Sequence, residues 1–145
     1  MIGKTRSAII ELGKLFQNAE IKKTYFAITI GAMNTVGYIN FLIDKKIAQT
    51  KFEVLKTVVS ERFGCLNFVK LAPKTGRKHQ LRKHVSEIGN PILGDKKYFL
   101  THKILTGKGL FLHAGILDFV HPFTNDKISI TKKLPKKFTK IFPDF

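Results

Sequence analysis

At 145 residues and 43% hydrophobic composition, the chain can bury one core and is too short for two comfortable domains, so residues 1–145 are read as a single unit. Its 26 Lys and Arg against 10 Asp and Glu give a formal net charge of +16, a self-repelling excess that a polyanion relieves, and nucleic acid is the first candidate. A single cysteine, Cys65, excludes an intrachain disulfide and a Cys-rich zinc site, and no apolar run is long enough to span a bilayer; a soluble cytoplasmic protein is expected, with membrane-surface binding as the alternative for so basic a chain.

From Thr5 to Ala19 the residues Ala8, Ile9, Leu12, Leu15 and Phe16 recur at spacings of three and four while Lys4, Arg6, Glu11 and Lys14 stay off that face, which predicts an amphipathic helix. Lys22 to Ile30 is rich in aromatic and β-branched residues and stops at Gly31, which predicts a strand. Helix and strand are expected to pack on one another. Gly31 to Ala48 shows no sustained period and reads as a short strand or loop region. Lys51 to Val58, with Phe52, Val54 and Val58 on one face, and Cys65 to Ala72 flank a turn at Arg62-Phe63-Gly64 and form a hairpin.

The next stretch, Thr75 to His84, reads TGRKHQLRKH and packs Arg77, Lys78, His79, Arg82, Lys83 and His84 into ten positions. Thr75-Gly76 is a turn; Leu81, Val85 and Ile88 then fall at helical spacing, and Gly89 and Pro91 end the helix. Arg82 lies at the edge of the buried stripe, where a cation can reach an acid in a cleft. Lys96 to Lys108 reads as a surface excursion, Gly109 to Val120 as a buried helix or strand followed by a strand, His121 to Asp126 as a turn, and Lys127 to Thr131 as a strand. Lys132 to Phe138 is basic with aromatic interleaving, as RNA-facing tails are. Strands outnumber helices without regular βαβ alternation, which favours an α+β fold with a mixed, mostly antiparallel sheet and flanking helices.

His79 and His84 are five apart and lack the glutamate of HExxH, so no metal site is expected. The nucleotide-cradling patterns GxxxxGK[ST] and GxGxxG and the GxSxG nucleophile elbow are also missing from the sequence. Tyr25 reads either as a strand-packing residue or as a ring on which an extruded base rests. Arg82 reads as a phosphate contact, a surface charge or the partner of an acid, and Asp95, beside Gly94, as a turn-forming acid.

Five segments, Lys23-Thr24-Tyr25-Phe26-Ala27, Thr75 to His84, Gly89-Asn90-Pro91-Ile92-Leu93-Gly94-Asp95 with Tyr98, Leu112-His113-Ala114 and Phe119-Val120-His121-Pro122, resemble, in order, the RluA-type pseudouridine synthases. The resemblance implies a pseudouridine synthase fold, isomerisation of uridines in ribosomal or transfer RNA, RNA as partner, and neither metal nor cofactor. It implies that Tyr25 is the active-site tyrosine, packed on the flipped base and assisting proton removal. Arg82 would pair with the catalytic aspartate, Leu112 would be an apolar wall of the uracil pocket, and Arg77, Lys78, His79 and Lys83 would contact RNA backbone or pack. The family's catalytic aspartate lies in an HRLD-like motif upstream of the KTY strand, and none of Asp44, Asp95, Asp118, Asp126 or Asp144 stands in that context. The expectation is therefore the C-terminal part of a catalytic domain, missing its N-terminal half and inactive alone, with a basic RNA-binding module as the alternative. The Gly31 to Ala48 connection is also shorter than is usual in the family.

Overall fold

The computed structural model describes residues 3–99 and 105–145; His102 and Lys103 of the expected surface excursion lie outside the described residues. Six strands, β1 Lys22–Ile30, β2 Val36–Ile39, β3 Thr50–Ser60, β4 Gly64–Pro73, β5 Leu112–Val120 and β6 Lys127–Thr131, form one sheet in the order β2-β3-β4-β1-β5-β6. Every pairing between these strands is antiparallel, so the fold is α+β without the parallel pairs that a mixed sheet would carry. The helices are α1 Arg6–Gln17, α2 Gln80–Glu87 and α3 Lys136–Thr139. Among the described residues no helix is long and apolar enough to cross a membrane.

β1 is central because its run of β-branched and small apolar residues is hidden on both sides: Ala27, Ile28, Thr29 and Ile30 are buried, with β4 on one side and β5 and then the Pro91–Leu93 segment on the other. Residues paired directly across strands share a face. One face therefore carries Tyr25, Ala27 and Thr29 with Leu71, Val69 and Asn67, and the other carries Phe26 and Ile28 with Lys70 and Phe68. α2 covers the first face, where its Gln80 and His84 bond Thr50 of β3. The second face meets the C-terminal residues, where Phe138 and Phe142 pack on Phe68 with ring centroids 6.4 and 5.5 Å away.

That packing corrects the reading of the basic tail. Phe138 and Phe142 are each 1% exposed, and Lys137 donates to the Leu110 carbonyl at 2.6 Å while lying over the Phe111 ring. The aromatic residues close the core, while Lys132, Lys133, Lys136 and Lys140 face solvent. α1 also departs from expectation. Its Leu15 packs with Ile21 and Phe119, alongside Leu117 and Ile128, so it seats chiefly on β5 and β6. Ile9 and Phe16 of its apolar stripe are left more than half exposed.

The segment without a clear period resolves into the edge strand β2 and a tight reversal in which Ile43 pairs with Lys46. Asp44 and Lys45, at the centre of that reversal, have φ of 50° and 62°, the mirror-type turn that matches strand twist. Gly109 to Val120 contributes β5 and no helix.

Truncating Phe138 to alanine is expected to destabilise the chain by about 3–5 kcal/mol in urea denaturation, as for a large buried aromatic. A change within about 0.5 kcal/mol, typical of a surface position, would restore the reading of an exposed tail.

Candidate functional site

β1 and β5 carry two of the expected site residues to one place. Tyr25 opposes Ala114 and Thr24 opposes Ile116, which leaves Gly115 as the extra residue of a β-bulge. A Cβ on Gly115 would lie 2.5 Å from the Phe26 ring, so that ring can lie over the bulge only because the residue is glycine. Leu112, paired with Ala27, stands on the Tyr25 side of the sheet.

The turn into α2 supplies the remaining wall, and Gln80 holds it. Its amide oxygen accepts from the Thr75 hydroxyl at 2.7 Å and the Arg77 backbone amide at 2.9 Å. Its amide nitrogen donates to the Gln49 carbonyl at 2.9 Å and the Thr50 hydroxyl at 3.1 Å. These four bonds use the full capacity of the side chain and fasten the turn to β3. The sequence reading missed Gln80, since its polarity masks its place on the buried face. Across this turn His79 adopts φ 55°, a left-handed conformation that is uncommon for a residue with a side chain, and its Nδ1 lies 3.1 Å from the Tyr98 hydroxyl.

Tyr25, Leu112, Arg77, His79, Arg82 and Lys23 line one cavity of about 240 Å³. That is below the roughly 300–1,000 Å³ of clefts for drug-sized ligands and suits a single planar base. Lys78 and Lys83 do not line it. Lys78 faces solvent, and Lys83 lies 3.4 Å from the Asp44 carboxylate beside a different cavity.

Arg82 has a partner other than the one the resemblance implies. Its Nε and one terminal nitrogen donate to the two Asp95 oxygens at 2.7 Å each, a bidentate fork. The Asp95 side chain is fully buried and that of Arg82 is 20% exposed. Asp95 Oδ1 also accepts from the backbone amides of Lys97 and Tyr98 at 2.8 and 3.0 Å, so the turn-forming role and the pairing role fall on one residue. Burial acts to raise the Asp95 pKa, but the Arg82 guanidinium and the two amides outweigh it and hold the carboxyl below its ordinary value. The Asp95 hydrogen bond, opposed by burial, raises the Arg82 pKa. Two of five guanidinium donors are thus occupied, and Tyr98 stacks below, its ring centroid 5.0 Å from the guanidinium carbon.

The neighbouring histidines are both shifted toward the neutral form. Burial, then the nearby Arg82, Lys97, Lys78 and Lys83, lower the His79 pKa. Burial also lowers that of His84, which is 1% exposed and bonded to Thr50 at 3.0 Å. Among the described residues no Asp or Glu lines the Tyr25 cavity. Asp44, Asp118, Asp126 and Asp144 are engaged elsewhere, by Lys83, Ser129, Thr124 and Lys56.

Residues 1–87 match the family model described as RNA pseudouridylate synthase. The chain is 33% identical to "tRNA pseudouridine synthase C" of Haemophilus ducreyi, over 92% of this chain and 66% of that one. It is 36% identical to "Dual-specificity RNA pseudouridine synthase RluA" of Haemophilus influenzae, over 89% of this chain and 64% of that one. Among solved structures it is similar to "Human RNA Pseudouridylate Synthase Domain Containing 1", with a TM-score of 0.78, 22% identity, and coverage of 91% of this chain and 62% of that one, a likeness of fold. The chain thus spans just under two thirds of the length of these relatives.

Because the folded-state pKa of Asp95 is depressed, its stabilising contribution is complete above the unfolded value of about 3.9. It is lost as pH falls through the lower folded value. Asp95→Asn is expected to destabilise the chain at pH 7 by about 3 kcal/mol, the lower end for a broken buried pair because Arg82 keeps some solvation. The gap from the unmutated chain should narrow below about pH 4 in urea denaturation. A gap that widens on acidification would contradict the pairing.

Proposed function

The chain belongs to the RNA pseudouridylate synthase family, and from that premise we propose that the Tyr25 cavity holds the base of a uridine being isomerised to pseudouridine in ribosomal or transfer RNA. The observation that carries this reading is the convergence of Tyr25, Arg82 and Leu112 on one cavity of single-base size. An extruded base must regain the stacking it loses, a few kcal/mol. The Tyr25 ring and the Leu112 side chain offer it an aromatic and an aliphatic surface.

The reaction breaks the bond between C1′ and N1, joins C1′ to C5, removes the proton then left on C5 and returns a proton to N1, so no atom is gained or lost overall. Tyr25, against the base, assists that proton removal. Arg82, its plane fixed by Asp95 on one edge, presents its remaining N–H donors to an anion on the other. The catalytic carboxylate is the one part without a seat among the described cavity residues, and a segment bearing the family's aspartate motif supplies it. A basic RNA-binding module without catalysis is the second reading, favoured by that same vacancy of carboxylates and by the charge of +16.

RNA tritiated at C5 of uridine tests the division of labour. The chain alone is expected to release no tritium, while Tyr25→Ala should weaken binding of uridine-containing RNA about 5- to 150-fold, the worth of one base–aromatic stack. Tritium release by the chain alone would place the carboxylate within these 145 residues. Unchanged binding by Tyr25→Ala would favour the module.

A further inference from the structure

A hollow of about 780 Å³ lies outside the Tyr25 cavity and is lined by Lys22, Lys51, Lys70 and Lys74, with Glu53 and Asp118 among them. The register explains why it is open. Tyr38 of β2 pairs with Lys51 of β3, which pairs with Ala72 of β4. This row shares the face of Phe26 and Lys70, opposite Tyr25. The C-terminal aromatics cover that face around Phe68 and stop short of the Tyr38 row, where Tyr38 is 48% exposed.

The charge there is unbalanced. Glu53 lies 3.8 Å from Lys70, and Asp118 accepts from Ser129 at 2.5 Å. Among the described residues Lys22, Lys51 and Lys74 form no ion pair. Lys74 holds its ammonium 5.1 Å from the Tyr38 ring centroid, so a cation and an exposed aromatic face sit side by side. Lysines along a groove with an aromatic ring at its margin are the elements that bind single-stranded nucleic acid, the cations tracking phosphates and the ring stacking a base. Lys23 and Pro73 line both this groove and the Tyr25 cavity, so the two adjoin at this end of the sheet.

We propose that this second face is a track for single-stranded RNA: the strand whose nucleotide occupies the Tyr25 cavity passes Lys23, lays its phosphates along Lys22, Lys51 and Lys74, and stacks a base on Tyr38. The entry of a nucleotide into the Tyr25 cavity rests on the function proposed above; the track itself rests on the groove. A sequence-tolerant stack and phosphate contacts recognise the strand flanking a target without reading its bases.

Fluorescence anisotropy with a labelled oligouridylate across a salt series tests the track. For single strands each phosphate contact contributes about 0.7 to the slope of log affinity against log salt. Lys51→Gln with Lys74→Gln should therefore reduce the slope by about 1.4, whereas Lys133→Gln with Lys140→Gln, the same charge change at exposed positions outside the groove, should leave it in place. Tyr38→Ala should weaken binding about 5- to 150-fold with the slope unchanged. Equal slope changes in the two lysine pairs, or an inert Tyr38→Ala, would overturn the proposal. So would labelled poly-glutamate that competes with oligouridylate and responds to the same lysines, since the groove would then take an acidic protein. Tyr25→Ala separates the two readings: if it is silent while the groove variants respond, the uridine cavity fails and the track stands. Protection of Lys51 and Lys74 from acetylation by oligouridylate, on the unmutated chain, supplies a readout that needs no variant to fold; equal labelling with and without RNA counts against the track.

Discussion

One buried fork, Arg82 on Asp95, fixes the geometry on which the candidate site depends. A carboxylate with no exposed side-chain surface is tolerable only when paired and fully hydrogen-bonded, and Asp95 meets that condition through Arg82 and two backbone amides. The segment leading to it is held just as firmly. Asn90 donates to the Ile30 and Ala32 carbonyls, Leu93 donates to Ile28 and accepts from Phe111, and Gly94 has φ 78° with no room for a Cβ, which would lie 2.0 Å from the Gly109 carbonyl oxygen. The ends of β1 and β5 are thereby stitched to the residue that aims Arg82. Gln80 does the same for the turn carrying Arg77 and His79, through Thr50 and Gln49.

Local pattern made much of this legible in the sequence. The β1 boundaries, Lys22 to Ile30, follow from a run of aromatic and β-branched residues ended by Gly31, and the structure has the same span. The helical spacing of Leu81, Val85 and Ile88 likewise gives α2, with Gly89 at φ 84° just beyond its end. Long-range partners left no such trace. Asp95 beside Gly94 looks like ordinary turn chemistry, and nothing local shows that its carboxyl is shared with a guanidinium thirteen residues earlier. His84 and Gln80 look like members of a polar, cationic stretch, yet both are buried because α2 turns them toward Thr50. Alternating lysine and phenylalanine in the tail is equally compatible with solvent and with a core, and the open face beside Phe68 decides it.

The positive charge is divided by the sheet. On the Tyr25 face the cations are few and individually positioned, Arg82 by its carboxylate and Arg77 by a 3.1 Å bond to the Ile47 carbonyl, and both histidine pKa values are lowered. On the other face Lys22 and Lys70 stand opposite Asp118 and Glu53, while Lys51 stands opposite Tyr38 and Ala72 with no acid in its row. A site that must orient one base and a surface that grips backbone make opposite demands, rigidity in one place and sequence tolerance in the other. The two faces meet at Lys23.

The most direct test of the central claim is photocrosslinking of an RNA carrying a single 4-thiouridine, followed by mass-spectrometric mapping of the attachment site. The account predicts crosslinks to cavity-lining residues, foremost Tyr25 and Leu112, that are lost when unlabelled uridine-containing RNA competes. Crosslinks confined to residues away from this cavity, such as Phe41 and Leu42 on the far side of α2, would contradict it.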